Sequence, residues 1–302
     1  MIAVGGDSGA GKSTLCRGFE RIFGAERLAI VRLDDYHSLD REQRKLVDIS
    51  SVDPRASNFA AMEEDLWALR EGRAIEKPVY DHKTGRFTAA TRVEPAEIIV
   101  IEGLFPLYTR ALRSLFNITV WVEPEPELMT VWREQRDVFE RGYSRAEANV
   151  DLDRRKAAVE TFISPQSRYA DLTLTFYRPA GYAAHEDPAR LSAHIRKGGR
   201  FRALDYSEFE SSSTSIRQNE ESSGGFPETV IELDGHIDRE TFFTVEEKLW
   251  RHIDFSGQEP PLLGQFLDAH GAVHTGYALA LAQLLIARRV VLVEHELLET
   301  IQ

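Results

Sequence analysis

The stretch Gly6-Asp7-Ser8-Gly9-Ala10-Gly11-Lys12-Ser13-Thr14 has the form G-x-x-x-x-G-K-[ST] of a phosphate-binding loop. It constrains the fold tightly, because this motif works only between a strand and a helix. The flanks comply. Residues 1–4 (Met-Ile-Ala-Val) predict a short buried strand, and residues 15–23 predict a helix. Glycines let the backbone curl so that successive N–H groups meet phosphate oxygens at a helix N-terminus. Gly9, Ala10, Gly11, Lys12, Ser13 and Thr14 are therefore candidate nucleotide contacts. Lys12 would reach the β- and γ-phosphates, and the Ser13 hydroxyl would hold Mg2+. The alternative is a glycine-rich turn that binds nothing, which leaves the Lys-Ser-Thr ending unexplained.

A length of 302 residues allows one large or two modest domains, and 42% hydrophobic residues suffice for a sizeable core. The net charge is −12, so the overall field repels nucleic acid and anionic lipid, and neither is an expected partner. An anionic substrate must instead be captured by local Arg and Lys clusters. The single cysteine, Cys16, excludes an internal disulfide, fits a reducing cytosol and reads as a small core residue. A cytoplasmic location without a signal peptide is expected, since the first strand starts at Met1. The apolar run 277–287 is too short to span a bilayer, contains Gln283 and ends at Arg288-Arg289, so it predicts a packed helix.

Residues 28–33 (Leu-Ala-Ile-Val-Arg-Leu) predict a second strand running into Asp34-Asp35-Tyr36-His37-Ser38-Leu39-Asp40-Arg41. In a parallel α/β sheet, ligands sit beyond the carboxyl ends of strands, so this cluster lands on the same rim as the phosphate loop. A carboxylate can take a hydroxyl proton and a guanidinium can fork onto phosphate, which suits a phosphorylated, hydroxyl-bearing acceptor. A solvated loop with capping aspartates is the competing reading. Residues 59–71 predict a helix, and Lys77-Pro78 followed by Thr84-Gly85 predicts a short edge hairpin. By themselves Tyr80, Asp81 and His82 read as ordinary surface residues.

Residues 97–103 (Glu-Ile-Ile-Val-Ile-Glu-Gly) predict a strand buried on both faces. Its terminal Glu102 stands where a nucleotide-binding protein places a second Mg2+-organising carboxylate, unless it is only a cap. A further strand is expected at 117–122 and a helix at 127–142. On that helix Arg133, Arg136 and Asp137 share one face, with Arg141 further along. The face is either solvated or part of an Arg-bearing lid closing over transferred phosphate. Arg145 and Arg154-Arg155-Lys156 add cations, and 172–176 predicts another strand. Further on, 208–226 is rich in Ser, Glu and Gly and predicts a flexible loop. A strand is expected at 228–234, and helices at 241–252, 263–269 and 276–289.

Several of these pieces together resemble the phosphoribulokinase/uridine kinase family, on its plant, cyanobacterial and archaeal phosphoribulokinase side. They are 33–41, Asp53-Pro54-Arg55-Ala56, Tyr80-Asp81-His82 with Thr84-Gly85, and Glu102-Gly103-Leu104. Gln135-Arg136-Asp137 with Glu140-Arg141-Gly142, Pro165-Gln166 with Tyr169-Ala170-Asp171, and 245–257 complete the set. The resemblance implies ATP- and Mg2+-dependent phosphorylation of ribulose 5-phosphate, a step of carbon fixation, by a homodimer. It implies Asp34 as catalytic base, with His37, Arg41, Arg55, Tyr80 and His82 as sugar-phosphate contacts. It further implies Glu102 and Asp137 as metal-organising acids, and Arg133, Arg136 and Arg141 as lid residues meeting ATP or the moving phosphoryl group. A uridine or other small-metabolite kinase, or a non-catalytic nucleotide-binding regulator, are the alternatives.

The chain departs from the plant-type pattern at Ala10, where relatives carry a redox cysteine, at Ala157, where many have Pro, and in the Ser-rich stretch near 215. The expected fold is α/β of the P-loop type: a mostly parallel sheet with helices on both faces. The expected organisation is a kinase core at 1–206 with a lid near 127–156, a flexible loop at 207–226, and a C-terminal extension at 227–302 adding to the sheet.

Overall fold

The computed structural model describes residues 1–139, 155–179, 187–197, 216–223, 226–253, 259–268 and 271–301. In chain order the first elements are β1 (Ile2–Gly5), α1 (Lys12–Phe23), β2 (Leu28–Arg32), α2 (Arg41–Leu46), α3 (Phe59–Arg70), β3 (Ile75–Asp81) and β4 (Arg86–Val93). Next come β5 (Ile98–Gly103), α4 (Arg110–Ser114), β6 (Ile118–Val122), α5 (Pro126–Phe139), β7 (Leu172–Tyr177), β8 (Ser192–Lys197), β9 (Ile216–Ser223) and β10 (Phe226–Leu233). The last are α6 (Arg239–Trp250), β11 (Gln265–Leu267), β12 (Val273–Thr275) and α7 (Tyr277–Ile301).

Two compact units contain these elements. One comprises Met1–Lys12, Ala25–Val122 and Met129–Ala170, the other Ser13–Gly24, Glu123–Leu128 and Asp171–Gln302. In the first unit β2, β5, β1 and β6 lie side by side in that order, all parallel. Every residue of β5 and β6 is buried, as a parallel strand covered on both faces requires. On α3 the residues Met62, Leu66 and Leu69 recur at helical spacing and join Val31, Ile99 and Ile101 in one core. Asn58 starts that helix by accepting the Ala61 N–H (3.2 Å). Strands β3 and β4 form a separate antiparallel hairpin whose register slips between Lys77 and Val79. The slip falls at Pro78, which has no N–H to give the ladder.

In the second unit β7, β8, β10 and β9 form antiparallel ladders in that order. The first half of α7 is almost wholly buried, as its unbroken apolar run predicts. No helix among the described residues is long and apolar enough to cross a membrane. Cys16 is buried on α1. Gln283 on α7 donates to Thr14 O (3.0 Å) and accepts the Gly264 N–H (2.9 Å). Its amide lies against Gly18 of α1, where an added Cβ would sit 2.3 Å from Gln283 Cδ.

Two expectations need correction. The flexible loop placed at 207–226 is strand in its described part, since 216–223 is β9. Its Ser and Glu residues suit an outer strand of this ladder, because pairing with β10 satisfies one side and polar groups face water on the other. Within the helix placed at 263–269, residues 265–267 are instead β11, paired with β12. Asp268 closes the connection by accepting the Ala272 N–H (2.9 Å). A segment of that length is too short to sustain a helix alone, so local turn chemistry decides.

Glycine to alanine within a helix ordinarily stabilises it. For Gly18→Ala we expect the opposite, a loss of about 1–3 kcal/mol from overpacking against Gln283, read from denaturant melts of the purified protein.

Candidate functional site

The first unit gathers residues 6–12 of the phosphate loop, the end of β2, the end of β5, the β3–β4 hairpin and residues 129–139 of α5. After β1 the chain turns sharply at Gly6. An added Cβ there would lie 2.3 Å from Val122 O, so no side chain fits. Gly9 takes φ +87°, the left-handed region, and its Cα faces the backbone of Arg133. Lys12 is buried and donates to Gly6 O (2.9 Å) and Asp7 O (2.8 Å), which holds its ammonium within the curl of the loop. Ala10 is completely buried.

Arginines and aspartates alternate over this loop. Arg133 reaches Asp7 Oδ2 (3.6 Å) and Asp137 Oδ2 (3.8 Å). Arg136 forks onto Asp137 Oδ1 through Nε (3.1 Å) and Nη2 (2.7 Å), and its Nη1 donates to Ser8 Oγ (2.7 Å). Arg155 donates to Asp7 Oδ1 (3.1 Å). Arg133, Asp137 and Arg155 are all buried, so the solvated-face alternative for the lid helix does not hold for these residues. Arg141, Arg145 and Arg154 lie outside the described residues.

At the carboxyl end of β2 a 3-10 turn, Leu33–Asp35, sends the two neighbouring aspartates in different directions. Asp34 faces the end of β5, where the Leu104 N–H donates to its Oδ1 (3.1 Å). Gly103 allows this approach, since an added Cβ would lie 2.7 Å from Leu33 Cβ. Burial alone would raise the Asp34 pKa. The Lys12 ammonium, the His82 and His37 rings and the Leu104 N–H outweigh it and hold the carboxyl below its ordinary value. Asp34 is therefore a carboxylate at neutral pH, a base ready to accept a proton. Asp35 turns inward, forms a buried ion pair with Lys77 and accepts the Tyr80 N–H (3.0 Å).

The sugar-site candidates cluster beside Asp34. His37 is buried, with Nδ1 3.3 Å from Ala56 O. The Tyr80 ring lies edge-on to it at 4.6 Å and the His82 ring at 6.2 Å. Tyr80 is buried rather than a surface residue, with Arg44 donating to its hydroxyl (2.8 Å). Arg41 donates to His82 O (2.5 Å) and Lys83 O (3.2 Å) in the hairpin turn. The Arg55 guanidinium is exposed and paired with Asp53 (2.6 Å), and its carbonyl accepts Ser38 Oγ–H (2.9 Å). At the end of β5, Glu102 is buried and paired with Arg32 (2.9 Å). Its Oε2 is buried without a hydrogen-bond partner, an oxygen that a cation or its water would satisfy. Glu102 therefore fits a Mg2+-organising role. Asp137 is already engaged by two arginines.

Sequence reasoning did not single out Asp7, Arg44, Lys77 or Arg155 as site residues. Arg44 follows Arg41 at the i+3 helical spacing, which was the available signal. Lys77 had none, because lysine is so rarely buried.

A sequence model of the phosphoribulokinase / uridine kinase family matches residues 1–179. Phosphoribulokinase from Synechocystis sp. is 41% identical over 174 residues, which cover 58% of this chain and 52% of that protein. Chloroplastic phosphoribulokinase from Triticum aestivum is 37% identical over 191 residues, covering 58% and 47%. The chain thus spans about half the length of the curated relatives it matches. The crystal structure of phosphoribulokinase from Rhodobacter spheroides aligns with a TM-score of 0.60 at 20% identity. It covers 84% of this chain and 96% of that one, a likeness of fold.

His37 gives the site a pH dependence. Burial, and then the nearby Arg44, push its pKa from 6.5 down to about 4. Between those values the unfolded chain binds the extra proton, so stability is complete above pH 6.5 and is lost as pH falls toward 4. His37→Asn should flatten this acid-side loss in thermal melts between pH 7 and pH 5. Unchanged acid sensitivity would show that other groups carry it.

Proposed function

From the premise that the chain belongs to the phosphoribulokinase / uridine kinase family, we propose that it transfers phosphate from ATP to the primary hydroxyl of ribulose 5-phosphate, giving ribulose 1,5-bisphosphate. One observation carries this reading most: Asp34, kept ionised beside Lys12 and flanked by His37 and His82. A protein that only binds nucleotide needs no such base. The phosphoribulokinase name of the relatives supports the acceptor, as does the grouping of His37 and His82 around Asp34, with Arg41 donating to the His82 carbonyl.

The mechanism follows from the residues. Asp34 takes the proton of the acceptor hydroxyl as that oxygen forms its bond to the γ-phosphorus and the bond to the bridging oxygen of ADP breaks. Lys12 and the lid arginines 133 and 136 neutralise charge spread over the transferring phosphoryl oxygens. Glu102, with Ser13 and Asp137, would hold Mg2+, which when bound would supply further neutralisation of the phosphate charge. Arg41 and His37 bind the acceptor's own phosphate, His37 as a neutral hydrogen-bonding ring. The same reading carries a cytoplasmic homodimer whose product feeds carbon fixation, without redox control through the phosphate loop.

An ADP-release assay with ribulose 5-phosphate, uridine and water as acceptors tests this. Turnover on uridine would assign a nucleoside kinase, and acceptor-independent ADP release would assign an ATPase or switch protein. Positioned general-base catalysis contributes about 10²–10⁴-fold, so Asp34→Asn should lose at least about that factor in kcat while ATP still binds. Arg41→Ala should mainly raise the KM for the sugar phosphate. An unchanged KM would remove Arg41 from the acceptor site.

A further inference from the structure

Asp35 and Lys77 stand apart from the proposed chemistry, yet they join its two halves. Asp35 belongs to the 3-10 turn that presents Asp34, and Lys77 belongs to β3, whose hairpin carries Tyr80 and His82. The pair is buried on both sides. Asp35 also accepts the Tyr80 N–H (3.0 Å), and the Lys77 ammonium also donates to Pro78 O (2.9 Å). The bulge at Pro78 makes this arrangement possible. In an unbroken strand Lys77 and Val79 would share a face. With the register slip, Lys77 and Tyr80 are both buried while Val79 is only half-buried. One inward turn of the hairpin thus brings the cation to Asp35 and the Tyr80 ring to His37 and Arg44.

We infer that the Asp35–Lys77 pair is a positioning clasp for the acceptor site, fixing the hairpin that carries Tyr80 and His82 against the turn that carries Asp34. The inference rests on the kinase reading above and names two residues that touch neither nucleotide nor acceptor in it. Lys77 lies on the same hairpin as the residues that face the acceptor side. His82 lies 5.1 Å from the Tyr80 ring, and Arg41 is held by the His82 and Lys83 carbonyls. The clasp has no counterpart on the phosphate loop. Loosening it should therefore affect the acceptor and spare ATP.

Removing one partner alone would strand a buried charge and could unfold the protein. The informative variant is therefore the double substitution Asp35→Asn with Lys77→Met, compared with the wild type. A misplacement of about 1 Å can cost on the order of 10²-fold, so we expect the acceptor KM to rise by about 10- to 100-fold. The KM for ATP should stay within about twofold of wild type, since the clasp makes no contact with the phosphate loop. Hydrogen–deuterium exchange should rise across 75–93 and stay unchanged across 2–12. An unchanged acceptor KM in the folded double variant, or an equal rise in both KM values, overturns the clasp. If the wild type turns over none of the acceptors, the kinase reading falls. Exchange across 75–93 then decides the clasp separately, and unchanged protection there overturns it.

Discussion

The constraint on which the site depends is the double burial of the central parallel strands. β1 runs between β5 and β6, and a strand covered on both faces has no side on which to carry a charge. Ionisable groups are excluded from the strand bodies and collect where the strands end. Lys12 follows the end of β1, Asp34 the end of β2, and Glu102 sits at the end of β5. Three loops that are far apart in sequence thereby deliver their charges to one rim. The chemistry is localised because the core tolerates it nowhere else.

The same low-dielectric surroundings explain the pairing pattern above the loop. Guanidinium groups withdrawn from water are costly unless matched: buried Arg133 and Arg155 meet Asp7, and Arg133 and the partly buried Arg136 meet Asp137. The lattice holds the arginines in place without help from solvent. Electrostatic stabilisation of a transition state is most effective when the dipoles and charges need not reorganise. Asp7 thus does for the lid what the Leu104 N–H does for Asp34. Each fixes the orientation of a charged group that the proposed transfer would use.

The sequence carried much of this and lost some of it for identifiable reasons. The phosphate loop was legible because its spacing encodes a backbone shape. β5 and α3 were legible because apolar periodicity is a local property. Asp34 and Asp35 were told apart by the family resemblance and not by residue pattern, since a carboxylate's direction depends on a turn whose geometry only tertiary contacts fix. Tyr80 read as a surface residue because unbroken strand alternation would place it on the face opposite Lys77, and only the register slip at Pro78 turns it inward. β9 read as a loop because its polar composition resembles one, and only the pairing with β10 makes it a strand. Arg55 accepts Ser38 Oγ–H through its carbonyl, while its guanidinium is held by Asp53 at the surface.

The contact between Gln283 and α1 has a consequence for how the chain comes to be folded. An amide on the last helix bonds the carbonyl of Thr14, 269 positions earlier, and fills the space that Gly18 leaves open. During synthesis the helix following the phosphate loop emerges well before this packing partner, which lies 269 positions further on. Such long-range closure slows folding and leaves the early apolar surface uncovered meanwhile. The helix after the phosphate loop therefore reaches its final packing only after residue 283 has emerged, and dependence on chaperones would concentrate in that interval.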